Sequence, residues 1–237
     1  MSNGPYYYTA WTPTTPPRAA HATSRTELIH IAITFVVLTV DLVIILSGRG
    51  LLESGTVTTL VAPLSIYFVL LAVAATLTGF FAHEMAHKFV ARRLGYWAEF
   101  RMWPTGLLLS LITSVGGFLF AAPGATMVDG MDPRDLQGWG RTGVAGPVTN
   151  LVFAAGFYAG SIATLGFGPN VFGALLFLAV INSLFATFNL LPIGLLDGAK
   201  VYRWGAGRWA AVFTVAAAAL VVSYMAFYFY GTPLLAW

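Results

Sequence analysis

Cysteine is absent from this chain of 237 residues, and charge is scarce: Asp, Glu, Lys and Arg make up 9% of it, against about 25% in an ordinary soluble domain. The first absence excludes a disulfide framework and any thiolate-ligated metal, so a bound metal would have to be held by His, Asp or Glu. The second excludes a soluble globular protein. Disorder is excluded as well, because disordered chains are poor in aromatics and here they reach 15%. The net charge of +3 comes from nine acids against twelve bases, a shortage of acids without a basic patch. No nucleic acid partner is expected.

What is present is apolar: 58% of the residues are hydrophobic. At roughly 20 apolar residues per helical crossing, the expected fold is an all-α polytopic membrane protein. It would have about five to six transmembrane helices and a re-entrant loop or short strand element. Residues 1–27, with Pro5, Pro13, Pro16 and Pro17, lack the basic start and apolar core of a secretory signal and read as a loosely ordered tail. Residues 28–237 read as one membrane domain. Spans are expected at 28–46, 59–94, 143–165, 171–191 and 210–230, the second stopped by Gly95. Residues 96–102 suit a short strand and 129–141 a surface loop. The stretch 104–128 is apolar but broken by Gly106, Gly116, Gly117, Pro123 and Gly124, awkward in lipid as one straight helix. Tyr224, Phe227, Tyr228, Phe229 and Tyr230 read as an interfacial aromatic belt.

Basic residues favour cytoplasmic loops, so the twelve of them test the path of 104–128. If that stretch crosses, six fall on each side of the membrane. If it enters and leaves by one face, eleven share a side and only Arg49 lies opposite. The re-entrant path is therefore expected, with the N-terminus cytoplasmic, the C-terminus outside, and the protein integral to the plasma membrane. The alternative is a sixth span without charge bias.

Among the nine acids, only Asp41, Glu84 and Asp197 lie inside or at the ends of apolar segments. Carboxylates there are costly and point to function. Glu84 belongs to His83-Glu84-Met85-Ala86-His87, an H-E-x-x-H pattern. On a helix His83 and His87 share a face one turn apart, so both imidazoles can reach one ion while Glu84 leans toward the open position. That spacing suits Zn²⁺ with a third protein ligand and a water. His21 and His30 lie outside any structured motif. Asp197 is the better third ligand, since Pro192 and Gly194 break the helix ahead of it and allow a loop to turn its carboxylate inward. Asp41 has no evident partner. Asn150 reads chiefly as a cap of its own helix, with a hydrogen bond to the loop carrying Asp197 as the alternative, and Asn182, on the helical face of Asn189, chiefly as packing glue, with a place lining the cleft as the alternative.

Three motifs in order carry a resemblance: His83 to His87, then Gly146-Pro147-Val148-Thr149-Asn150, then Asn189-Leu190-Leu191-Pro192 with Leu196-Asp197-Gly198. Together they resemble the site-2 protease family of intramembrane zinc metalloproteases over a core at about 59–199. The resemblance implies that His83, His87 and Asp197 bind zinc and that Glu84 is the general base. It sets Asn189 near the scissile carbonyl and makes Ala122-Pro123-Gly124-Ala125 a strand-forming loop for substrate. It implies cleavage of transmembrane protein substrates in the bilayer. The chain departs from the family's usual Pro-Leu-Asp-Gly-Gly with Leu195-Leu196-Asp197-Gly198-Ala199. It also carries an extra apolar stretch at 104–120 and shows no appended PDZ-like or CBS-like domain.

The chemistry follows from the residues too: a metal-activated water, with Glu84 taking its proton and passing it to the leaving amine, is peptide hydrolysis. Asn189 serves equally well as donor to the developing oxyanion or as helix-to-helix glue. A membrane peptidase of prenylated C-termini would need a later Glu as ligand, and no Glu follows Glu99. A silent metal-holding adaptor would not need Glu84. The charge argument makes a direct prediction: a single cysteine placed in the 129–141 loop reacts with an impermeant maleimide only from the cytoplasmic side, and labelling from outside contradicts the re-entrant path.

Overall fold

The structure is a computed structural model that describes residues 23–48, 65–119, 122–166 and 168–231. Its first helix, α1 (Arg25–Leu46), is capped by Ser24, whose Oγ accepts from Glu27 N at 3.1 Å. The helix therefore begins inside the expected tail. Glu27 is fully buried: its Oε1 accepts from Phe100 N at 3.0 Å and its Oε2 pairs with Lys88 Nζ. A buried charge is tolerated only when paired and hydrogen-bonded, and both conditions hold. Residues 1–22, His21 among them, lie outside the described residues, so the reading of that part as a tail stands apart from the structure.

Helix α2 (Ile66–Arg93) carries the H-E-x-x-H pattern near its end; the expected start at 59–64 lies outside the described residues. A π-helical stretch, Thr76–Phe81, sits directly ahead of His83. Such insertions free backbone carbonyls and recur at functional sites. Here Asn150 Nδ2 donates to the carbonyls of Thr78 at 3.2 Å and Gly79 at 2.9 Å. The helix ends at Gly95, whose φ of +91° suits glycine, with Tyr96 N bonded back to Ala91 O at 3.0 Å.

Strand β1 (Trp97–Met102) follows and pairs antiparallel with β2 (Gly124–Asp129) in the register Trp97↔Asp129 to Met102↔Gly124. Between them lies helix α3 (Pro104–Val115) of 12 residues, about 18 Å long and short of the ~30 Å hydrocarbon core. Met102 and Gly124 are sheet partners and Trp103 N donates to Pro123 O at 2.9 Å, so the excursion leaves and returns at one place. That return is what the re-entrant path requires, and α3 is too short to cross. Its close return explains Gly106, where a Cβ would lie 1.9 Å from Ala122 O. Asp41, buried in α1, gains the partner that the sequence left unnamed: Ser114 Oγ of α3 donates to its Oδ1 at 2.9 Å, tying the re-entrant helix to the first span.

Helix α4 (Leu136–Ala163) is capped by Asp135, whose carboxylate accepts from Gly138 N at 2.9 Å. It starts seven residues before the expected 143, which shortens the expected 129–141 loop and places Arg141 in a helix. Helices α5 (Pro169–Asn189), α6 (Asp197–Trp204) and α7 (Ala206–Ala226) complete the bundle. Among the described residues, four helices are long and apolar enough to cross a membrane: Arg25–Leu46, Ile66–Arg93, Asn170–Asn189 and Ala206–Tyr230. The expected fifth crossing falls in α4, which is long enough. Its first half, however, is diluted by Gly138, Gly140, Gly143 and Gly146 and by Arg141, Thr142 and Asn150, because that half packs against α2 and α6 and does not need an apolar surface all round. Buried apolar clusters join α1, α2 and α5 through Leu42, Leu71, Ala72 and Leu178, and α5, α6 and α7 through Ala186, Leu190, Val201 and Ala216.

Candidate metal centre

Three side chains from two helices meet below the π stretch. His83 and His87, one turn apart on α2, bring their Nε2 atoms to 3.0 Å of each other. Asp197, the first residue of α6, sets Oδ2 at 3.2 Å from His83 Nε2 and 2.9 Å from His87 Nε2. All three residues are buried. The spacing of Asp197 depends on Gly198, where a Cβ would lie 2.1 Å from Leu190 O; only glycine lets the start of α6 press against the end of α5.

The other face of each imidazole is committed. His87 Nδ1 faces the Thr142 carbonyl at 2.7 Å, an atom that can only accept. His83 Nδ1 faces Asn150 Oδ1 at 2.5 Å, while Asn150 Nδ2 gives its protons to Thr78 O, Gly79 O and Asn182 Oδ1. Both imidazoles therefore carry the proton on Nδ1 and turn the Nε2 lone pair toward Asp197, the arrangement in which second-layer partners orient metal ligands. Two lone pairs and a carboxylate oxygen at mutual distances of 2.9–3.2 Å repel unless positive charge sits among them. One proton can join only two of the atoms. An ion with bonds of about 2.0 Å in tetrahedral geometry spaces its ligands by about 3.3 Å, so one Zn²⁺ can touch all three, and the residues present fit it. Asp197 meets this demand as an anion. The Lys200 ammonium, 3.0 Å from its Oδ1, supports that charge.

Glu84 is also buried, and its carboxylate oxygen lies within 4.8 Å of ligand atoms of His83 and His87. Its Oε2 accepts from Thr126 N and Thr126 Oγ1, both at 2.8 Å. This fixes strand β2 against the centre. Space beside the two Nε2 atoms is kept by Gly146 of α4, where a Cβ would stand 2.5 Å from His87 Nε2 and 2.6 Å from His83 Nε2.

The structure thus brings together His83, Glu84, His87 and Asp197 from the sequence expectation. Asn189 stands apart: its Nδ2 donates to Phe185 O of its own helix at 3.0 Å. Asn150 is neither a helix cap nor a brace for the Asp197 loop but the partner of His83, in the interior of α4. Asn182 supports it, donating to Thr78 Oγ1 at 3.0 Å. Sequence reasoning missed Thr126 and Lys200. Thr126 acts partly through its backbone N–H, which leaves no residue signature, whereas Lys200 stands three residues after Asp197 and was open to reading as an i,i+3 pair.

Comparison with known proteins agrees with the geometry. The chain is 39% identical over 156 residues to the protein named "Putative zinc metalloprotease MJ0611" of Methanocaldococcus jannaschii, covering 62% of this chain and 77% of that protein. It is 32% identical over 146 residues to the protein named "Putative zinc metalloprotease Rip3" of Mycobacterium tuberculosis, covering 60% of this chain and 33% of Rip3. No family model and no solved structure matches. The glycine clearance gives a prediction: Gly146→Ala places a methyl against both Nε2 atoms and lowers bound zinc well below one per chain by elemental analysis, whereas Gly156→Ala, with nothing within 4 Å, leaves it unchanged.

Proposed function

The chain belongs to the site-2 protease family of zinc metalloproteases, and we propose that it is an intramembrane endopeptidase that hydrolyses peptide bonds within or next to the transmembrane segments of other membrane proteins. The observation that carries this reading is continuity: the H-E-x-x-H turn is the end of an apolar, membrane-length helix, Ile66–Arg93. His83 stands about 26 Å along it. Chemistry built there acts at membrane depth, near one face.

In this reading His83, His87 and Asp197 would hold the metal. Bound Zn²⁺ supplies Lewis acidity, acidifying a water and polarising the scissile carbonyl. Glu84 takes the water's proton and delivers it to the leaving amine. Thr126 holds Oε2 with two donors and so leaves Oε1 as the proton acceptor. The same contact orients β2. Phe100 and Thr126 are sheet partners, yet Thr126 N bonds to Glu84 and Phe100 N to Glu27, so this is a non-hydrogen-bonded pair whose polar groups face outward. The outer edge of β2 therefore faces Glu84. A substrate segment unwound from its helix and paired along that edge would set its carbonyl beside the base, as strand addition does elsewhere. Asn189 would donate to the developing oxyanion after turning from Phe185 O, worth about 10² to 10³ in rate.

The partners are then a transmembrane protein substrate and the lipid bilayer. The charge distribution supports a multi-pass plasma-membrane protein with a cytoplasmic N-terminus and the centre toward the cytoplasmic face. In proteoliposomes holding a single-span substrate, Glu84→Gln is expected to lower cleavage by about 10² or more while zinc stays near one per chain; full activity in that variant removes Glu84 as base. Asp197→Asn is expected to lose the metal, and unchanged zinc removes it as ligand.

A further inference from the structure

Asp197 has two carboxylate oxygens, and the structure gives them different work. Oδ2 faces both imidazoles, whereas Oδ1 accepts from Lys200 Nζ at 3.0 Å. The path of Lys200 is built into the neighbouring helix: a Cβ at Gly143 would lie 3.0 Å from Lys200 Cβ and 3.2 Å from its Cδ, so glycine there gives the lysine stem its place against α4. On the outer side the side chain borders a cavity of about 310 Å³ lined also by Pro133, Trp139, Leu196 and Arg203.

A carboxylate free at both oxygens can bind a dication through both, and with two imidazoles and a water that would bring the metal to five ligands and leave no position for a substrate carbonyl. A catalytic zinc needs a position open to water and substrate. We propose that Lys200 is a positioning residue of the metal centre: its ammonium keeps Oδ1 off the metal, makes Asp197 a one-oxygen ligand and so preserves the open coordination position. This rests on Asp197 being the third ligand. The lysine touches neither metal nor substrate; it acts through the aspartate.

The test loads the full-length protein in detergent with Co²⁺ in place of zinc and reads its visible d–d absorption, which weakens and shifts as coordination rises from four to five. Lys200→Met is expected to weaken and shift the bands at unchanged metal stoichiometry, and to lower kcat of the zinc protein about 10- to 100-fold with little change in KM. Lys200→Arg, which keeps a charged donor, is expected to retain the wild-type spectrum and rate. Should Lys200→Met aggregate, Lys200→Ala gives the same readout. A wild-type spectrum in the methionine or alanine variant overturns the proposal, as does loss of metal from it or failure of arginine to restore the wild-type state. Asp197→Asn separates the two levels: a wild-type cobalt spectrum in that variant overturns the third-ligand reading itself, whereas loss of the metal there with an unaltered Lys200→Met spectrum overturns only the role of the lysine.

Discussion

Two imidazole nitrogens and one carboxylate oxygen, all within 3.2 Å of one another and all offering electron pairs, form the constraint on which the rest of the structure depends. They repel without a cation and bind one strongly with it, so the fold must force together residues that are 114 positions apart in sequence. It does so with small residues and with polar groups whose valences are filled. Gly146 and Gly198 remove the atoms that would block the approach. The Thr142 carbonyl and Asn150 Oδ1 take the Nδ1 protons and leave both Nε2 atoms bare. Asn150 can do this because its amide group is itself anchored on carbonyls of the π stretch and on Asn182. The helical irregularity ahead of His83 is thus part of the metal centre.

A second set of contacts couples that centre to the sheet. Glu84 on α2 accepts from Thr126 on β2, Thr126 pairs with Phe100 on β1, Phe100 N donates to Glu27 on α1, and Glu27 returns to α2 through Lys88. The circuit closes on the residue after His87. Both outward N–H groups of one cross-strand pair end on carboxylates, which settles the backbone at each sheet edge. It also makes the position of strand β2 and the orientation of Glu84 one variable. Glu99 reinforces the same corner: burial opposes its charge, but hydrogen bonds from Ser24 and Arg101 outweigh that and hold its carboxyl below the usual range.

The parts of this arrangement that rest on local spacing were legible in the sequence. His83, Glu84 and His87 fall on one helical turn by arithmetic, and Asp197 stood out because acids are so few. The turning back of 104–128 was expected from the sorting of the basic residues, and the sheet pair Met102↔Gly124 agrees with the turning back. Long-range pairings were not legible. Glu27 looked like part of a polar tail because its partners, Lys88 and Phe100, are 61 and 73 residues away. Asp41 waited on Ser114 for the same reason. The start of α4 was set too late because Asp135 is a helix cap in a stretch whose polarity suggested a loop. Thr126 gave no signal, since half of what it offers Glu84 is a backbone N–H.

Zinc K-edge X-ray absorption on the purified wild-type protein tests the central claim most directly, because it counts and identifies the atoms around the metal. The account predicts one zinc per chain with two imidazole nitrogens and one or two oxygens at about 2.0–2.2 Å. A shell with fewer than two imidazoles, or one built from six oxygens, would contradict it.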